Sequence, residues 1–232
     1  MLAVRRSADR GYFDHGWLRT YHTFSFADYY DPQWLGYGPL RVINDDRVAA
    51  GQGFGKHGHR DMEILTYILS GELAHRDSLG SGSLIRVGDV QRMSAGTGVT
   101  HSEFNPSAAH EVHLLQIWIL PEALRLAPGY EQKTFSAADK RGRLRLIAAH
   151  QGTDGAVTVR QDVRVYAGLF DGAERAEVAV TGARRVWLQV ARGAVSVDDT
   201  ALAAGDAAYA SGPVQLTLHG GQDSEVLVFD LP

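Results

Sequence analysis

Four side chains could do chemistry together: His57 and His59, then His101 and Glu103. One residue separates the members of each pair. On an extended strand, side chains two apart share a face, so each pair can aim both of its groups at one point. If the two strands line one cavity, three imidazoles and one carboxylate converge there. That donor set suits a divalent transition metal, so His57, His59, His101 and Glu103 are the expected metal ligands. Glycines at 51, 53, 55 and 58, and again at 96 and 98, predict bends and close backbone approach beside both pairs.

The rest of the chain must position those groups. With 232 residues it can form one large all-β domain or two of moderate size. A formal charge of −4 gives no basic footprint for nucleic acid and no polybasic anchor for membranes. There are no cysteines, hence no disulfide framework, no thiolate metal site and no cysteine nucleophile. That fits a reducing compartment. The opening MLAVRRSADRGYF lacks the apolar core of a signal peptide, and no run is long enough to span a bilayer. The expected location is cytoplasmic.

Aromatic residues crowd the first forty positions, among them Trp17, Tyr21, Phe24, Phe26 and Trp34. HTFSFADYY alternates as a strand does and then meets Asp31-Pro32, a turn signal. Burial across the mouth or flank of a barrel accounts for so much aromatic surface, and part of it could wall a pocket for a flat ligand. Residues 40–44 read as a strand ended by a turn at Asp45-Asp46. EILTYIL (63–69), residues 73–77, 84–87 and 90–93, and VHLLQIWIL (112–120) follow as short strands with glycine-rich turns. That spacing argues for an antiparallel sandwich or barrel. Only residues 121–136 look helical or irregular, and the polar stretch 137–143 marks a domain junction. Strands resume at 157–160, 164–169 and 177–180.

An internal echo follows. RVWLQVARGAVSVDDTALAAGDAAYASG repeats the order of EILTYILSGELAHRDSLGSGSLIRVGDVQRMSAG: apolar strand, glycine turn, alternating strand, loop, short strand, Gly-Asp. One supersecondary unit used twice means one architecture used twice. The second copy has no histidine in register with His57, His59 or His101. The expected organisation is therefore a metal-binding domain over residues 1–132 and a metal-free one over 133–232.

H-x-H followed some forty residues later by H-x-E resembles the cupin family. Gly51, five residues, His57-x-His59, three residues and Glu63 follow the first cupin motif; Gly88, then Gly98, His101 and Asn105 follow the second. Two departures stand out: one extra residue between Glu63 and Gly71, and SAGTG with Glu103 where cupins carry a shorter Pro-Gly turn. Both are features of the narrower pirin family. HGHRDMEILTY, SAGTGVTHSE and HGWLRTYHTFSFADYYDP all resemble it, and the likeness runs from Arg5 to the C-terminus.

That resemblance implies a bicupin: two antiparallel β-barrel or jelly-roll domains, the first holding metal through His57, His59, His101 and Glu103, the second degenerate. It also implies a quercetin 2,3-dioxygenase, which opens the heterocyclic ring of a flavonol with dioxygen and releases carbon monoxide. Three neutral imidazoles and a carboxylate leave a divalent ion with a charge near +1 and open positions for an anionic oxygen donor and dioxygen. Fe(II) heads the expectation, ahead of Mn, Co, Ni, Cu and Zn. Glu103, if it detaches, could take the flavonol 3-hydroxyl proton as a general base, making it the expected catalytic residue. The implied partners are a flavonol and dioxygen, with no nucleic acid and no membrane. The competing class is a non-catalytic, metal-carrying interaction protein with a protein partner; a cupin enzyme of another class is a third.

Other residues draw plainer readings. Glu63 reads as a structural acid beside the site. His15 and His22 read as hydrogen-bonded parts of the N-terminal segment, His113 as a satisfied core histidine, and His75 as exposed. Phe54 and Met93 read as core, and the run 140–145 as a solvated linker. Gln116 and Trp118 share a strand face whose direction the sequence leaves open.

Overall fold

Alternating and β-branched runs divided by glycine turns become strands almost throughout the computed structural model, which describes residues 2–232. In chain order the first twelve are β1 (Ala3–Arg5), β2 (Gly11–Asp14), β3 (Leu18–His22), β4 (Leu40–Val48), β5 (Gly53–His59), β6 (Glu63–Ser70), β7 (Glu72–Asp77), β8 (Gly82–Arg86), β9 (Asp89–Ser94), β10 (Val99–Phe104), β11 (Val112–Ile119) and β12 (Gly129–Thr134). A short helix, α1 (Ala137–Lys140), comes next. Then follow β13 (Arg145–His150), β14 (Val157–Val159), β15 (Arg164–Phe170), β16 (Ala176–Val180), β17 (Arg185–Val197), β18 (Thr200–Ala203), β19 (Ala207–Ser211) and β20 (Val214–Leu231). Two units result: residues 10–134 with 157–161, and residues 2–9 with 135–156 and 162–232. The opening strand and residues 157–161 thus each group with the other half of the chain.

The N-terminal unit is two antiparallel sheets. One runs β12-β9-β6-β11-β4-β3-β2; the other runs β5-β10-β7-β8. Leu18, Val48, Ile68, Leu73, Ile85, Val112 and Leu114 form a buried cluster. Residues directly opposite on paired strands share a face. Following the register, Gln132, Gln91, Thr66, Gln116, Asn44 and His22 form one polar row across six strands of the larger sheet. Such a row is unusual for a β-sheet face covered by a second sheet, and it lies beside the candidate site.

Three expectations change here. β4 runs straight through Asp45-Asp46. Asp45 is neutralised in place, by His113 Nε2 at 2.7 Å and by Arg47 and Arg10 at 3.3 and 3.4 Å. Residues 121–136 contain the regular strand β12, paired with β9 from Gly129↔Ser94 to Thr134↔Asp89. The aromatic segment is strand only up to His22; beyond it, Phe24 lies in a bend, Phe26 makes an isolated bridge to Tyr29, and Trp34 is in irregular chain.

In the C-terminal unit the sheet runs β1-β19-β17-β20-β15-β13, with β16 on β20 and β18 on β17. Its interior is apolar, filled by Phe170, Val186, Leu188, Val190, Val226 and Val228, and Trp187 is fully buried and stacked on Tyr209 at 5.4 Å. The echo is looser than its sequence: no turn forms at Gly193, and β17 continues past it with register shifts against β20. Lys140 also departs from the linker reading. It is buried, with Nζ 3.0 Å from Glu225 Oε1. Among the described residues no helix is long and apolar enough to cross a membrane.

Candidate metal centre

The four-stranded sheet carries the expected ligands. His57 and His59 lie on β5, and His101 and Glu103 on its neighbour β10. His101 stands opposite His57 and Val99 opposite His59. The one-residue spacing therefore turns both imidazoles of β5 toward His101. The Nε2 atoms meet: His101 to His57 at 3.0 Å and His101 to His59 at 2.9 Å. Two nitrogens about 2.1 Å from one ion, at right angles to each other, stand about 3.0 Å apart, whereas a tetrahedral ion spreads them to about 3.4 Å. Both spacings fit neighbouring positions of an octahedral site, the coordination of an ion with positions to spare.

The protonation states suit ligation. His57 Nδ1–H donates to the Gly55 carbonyl at 2.8 Å, which leaves Nε2 with a bare lone pair. Burial, and then the neighbouring His57, hold His59 down at about 4. Burial followed by His57, His59 and His75 holds His101 down at about 3. Both are neutral donors at physiological pH.

Glu103 stands apart from that triad. It falls in a second cluster, with His101 and His75. The register between β5 and β10 slips between His101 and Glu103, a bulge that re-aims the carboxylate. Its Oε2 accepts from Gln116 Nε2 at 3.1 Å, and Gln116 Oε1 accepts from the Thr66 hydroxyl at 3.0 Å. Its Oε1 is buried and has no hydrogen-bond partner. Burial pushes the carboxyl up to about 7; Gln116 and Thr66 pull against that, and Asp46 adds to it.

His75 corrects the sequence reading. It is buried, opposite Glu103 on β7, and its Nε2 lies 3.1 Å from Asp77 Oδ2. A carboxylate accepts, so Nε2 carries the proton and Nδ1 is bare. That Nδ1 lies 4.0 Å from Glu103 Oε1. Asp77 is itself pinned by the backbone N–H groups of Leu79 and Ser81, at 2.9 and 3.0 Å. The signal was present in the sequence: His75-x-Asp77 has the same two-residue spacing as the ligand pairs.

The remaining residues take their places. Glu63 lies in neither cluster and accepts from Ser94 Oγ at 2.8 Å and Arg160 N at 3.2 Å. His113 is tied to Asp45, and His22 Nδ1 lies 3.2 Å from the Phe26 carbonyl. Gln116 and Trp118 face inward. The Trp118 ring packs on His59 at 4.9 Å and Phe26 packs on Trp118 at 5.2 Å, an aromatic wall beside the triad. Phe54 packs on Trp17 instead, at 5.2 Å, and Met93 is buried with Ile64 and Val99. Gln116, Thr66 and Trp118 went unread as site residues because period-two patterning gives a strand's two faces without saying which looks inward.

The chain is similar to known proteins along its whole length. Residues 3–119 match the family described as pirin, and residues 146–231 match a quercetinase C-terminal cupin domain. The quercetin 2,3-dioxygenase of Escherichia coli K12 is 44% identical over 232 residues, covering 100% of this chain and 99% of its own. A pirin-like protein of Caulobacter vibrioides is 38% identical, over 94% of each chain. The crystal structure of bacterial pirin YhhW from Escherichia coli in complex with nickel(II) superposes with a TM-score of 0.94 at 44% identity, covering 100% of this chain and 99% of that one.

Proposed function

The chain belongs to the pirin family, and from that premise we propose that it is a metal-dependent dioxygenase that cleaves the heterocyclic ring of flavonols such as quercetin. The observation that carries the reading is the convergence of three imidazole Nε2 atoms at 2.9 and 3.0 Å. His57, His59 and His101 would hold the ion as neutral donors, with Glu103 as the fourth ligand. When bound, a divalent ion supplies a Lewis-acidic and redox-capable centre for the flavonol and dioxygen; Fe(II) is the proposed ion, with Mn, Co, Ni, Cu and Zn compatible with the same donors. Trp118 and Phe26, packed edge to face, offer an apolar aromatic flank to an aromatic substrate. Glu103, if it detaches from the ion, would take the flavonol 3-hydroxyl proton, since no protein donor occupies its Oε1. In the net reaction both atoms of dioxygen enter the product and one ring carbon leaves as carbon monoxide.

The test is an oxygen-electrode trace, run with the flavonol absorbance and carbon monoxide release, on protein loaded in turn with each divalent ion. Stoichiometric oxygen uptake, bleaching and carbon monoxide support the assignment. Fully loaded protein that consumes no oxygen with any ion overturns it in favour of a non-catalytic metal-binding role.

A further inference from the structure

The expected ligands hang from one sheet, yet the contact that holds Glu103 comes from the other. Gln116 on β11 crosses the interior to reach Glu103 Oε2 at 3.1 Å. Thr66 stands directly opposite Gln116 on β6 and donates to its Oε1 at 3.0 Å. Thr66 is fully buried, and Glu103 is buried.

We infer that Gln116, itself held by Thr66, is a positioning residue that fixes which oxygen of Glu103 is offered to the ion; this rests on the reading of Glu103 as a ligand. The chemistry forces the orientation of the chain. A carboxyl must be ionised to bind the ion, and an ionised carboxylate can only accept, so the Gln116 amide must turn Nε2 toward it. The amide oxygen then faces away and needs a donor inside the unit, which Thr66 supplies. On the other side of Glu103, His75 presents a bare Nδ1 at 4.0 Å, because Asp77 holds the proton on Nε2. His75 therefore gives Oε1 no donor, and that oxygen is buried without a partner. One carboxylate oxygen is occupied and the other kept free, which favours monodentate binding through Oε1. Groups that orient a ligand in this way typically govern about 10–100-fold in metal affinity.

The experiment measures Ni(II) affinity by competition titration, and the visible spectrum of the Co(II)-loaded protein, for wild type, Glu103→Gln, Gln116→Leu, Thr66→Val and Thr66→Ser. Gln116→Leu is expected to weaken Ni(II) binding at least about tenfold and to alter the Co(II) bands. Thr66→Val should move both readouts in the same direction by less, and Thr66→Ser, which keeps the hydroxyl, should restore them. Thr66→Val is nearly isosteric and keeps the interior filled, so it gives an answer even if Gln116→Leu does not fold. If Glu103→Gln weakens binding while Gln116→Leu and Thr66→Val match wild type, the positioning role is overturned and the ligand reading stands. If Glu103→Gln itself leaves Ni(II) affinity unchanged, Glu103 is not a ligand and both fall. A loss in Thr66→Val that Thr66→Ser does not restore also overturns the inference, since packing and not the hydroxyl would then be responsible.

Discussion

The main-chain carbonyl of Glu103 occupies the space where a side chain on Gly53 would begin. A Cβ there would also press on Cα of Phe104. Gly53 and Phe104 are register partners on β5 and β10, just beyond the bulge that separates His101 from Glu103. The glycine is needed for close approach of two backbones, at the point where the carboxylate is aimed. Gly53→Ala should therefore cost about 1–3 kcal/mol in overpacking and weaken Ni(II) binding as well. Urea unfolding and a Ni(II) titration check this; wild-type values in both would show that the strands part freely.

The triad predicts an asymmetry between fold and metal. His101→Ala or His57→Ala should lose the ion and all oxygen uptake while keeping β-rich circular dichroism. His101 is buried, and that burial, with His57, His59 and His75 around it, holds it neutral, so its removal takes no charge from the interior. Elemental analysis beside the spectrum decides: full metal content in either variant would mean the ligands are wrongly assigned.

Asp46 gives a stability prediction with a definite sign. Burial pushes its carboxyl up to about 7 from 3.8, so the folded state keeps its proton to higher pH than the unfolded chain does. Stability tied to that proton is present below about pH 4 and is lost as pH rises through about 7. Asp46→Asn removes the titration. Its stability relative to wild type should climb between about pH 4 and 7 and then level off, by at most about 4 kcal/mol. Denaturant melts across that range, without added metal, measure it; a difference independent of pH would show Asp46 to be ionised throughout.

In the C-terminal unit, Glu225 is buried between two cations. Lys140 Nζ lies 3.0 Å from its Oε1 and Arg192 Nη2 lies 2.8 Å from its Oε2. Removing one partner of a buried pair is far more damaging than the pair is stabilising. Glu225→Ala should cost about 3 kcal/mol and lower Tm by several degrees. A melting curve superimposable on wild type would show that water reaches Lys140.

What could be read from residues alone divides along physical lines. Strand positions were legible because period-two alternation and glycine turns are local signals. The triad was legible because His57-x-His59 fixes two groups on one face. Asp45-Asp46 misled because two adjacent acids look like a turn until His113 and Arg10 arrive from elsewhere in the fold and, with the nearby Arg47, neutralise one of them. Lys140 looked like a solvated linker residue because Glu225 is eighty-five positions away. The hold on Glu103 was hidden for the same reason: Gln116 and Thr66 meet it only after two sheets are stacked.

The polar row across the larger sheet has a last consequence. Asn44 Oδ1 and Gln91 Oε1 in that row, and Asp46 Oδ1 two residues from Asn44 along β4, are buried without protein partners, and each such group carries a desolvation cost into the folded state. Exchanging Asp46 for an uncharged residue would also remove the charge that, with burial, pushes the Glu103 carboxyl up.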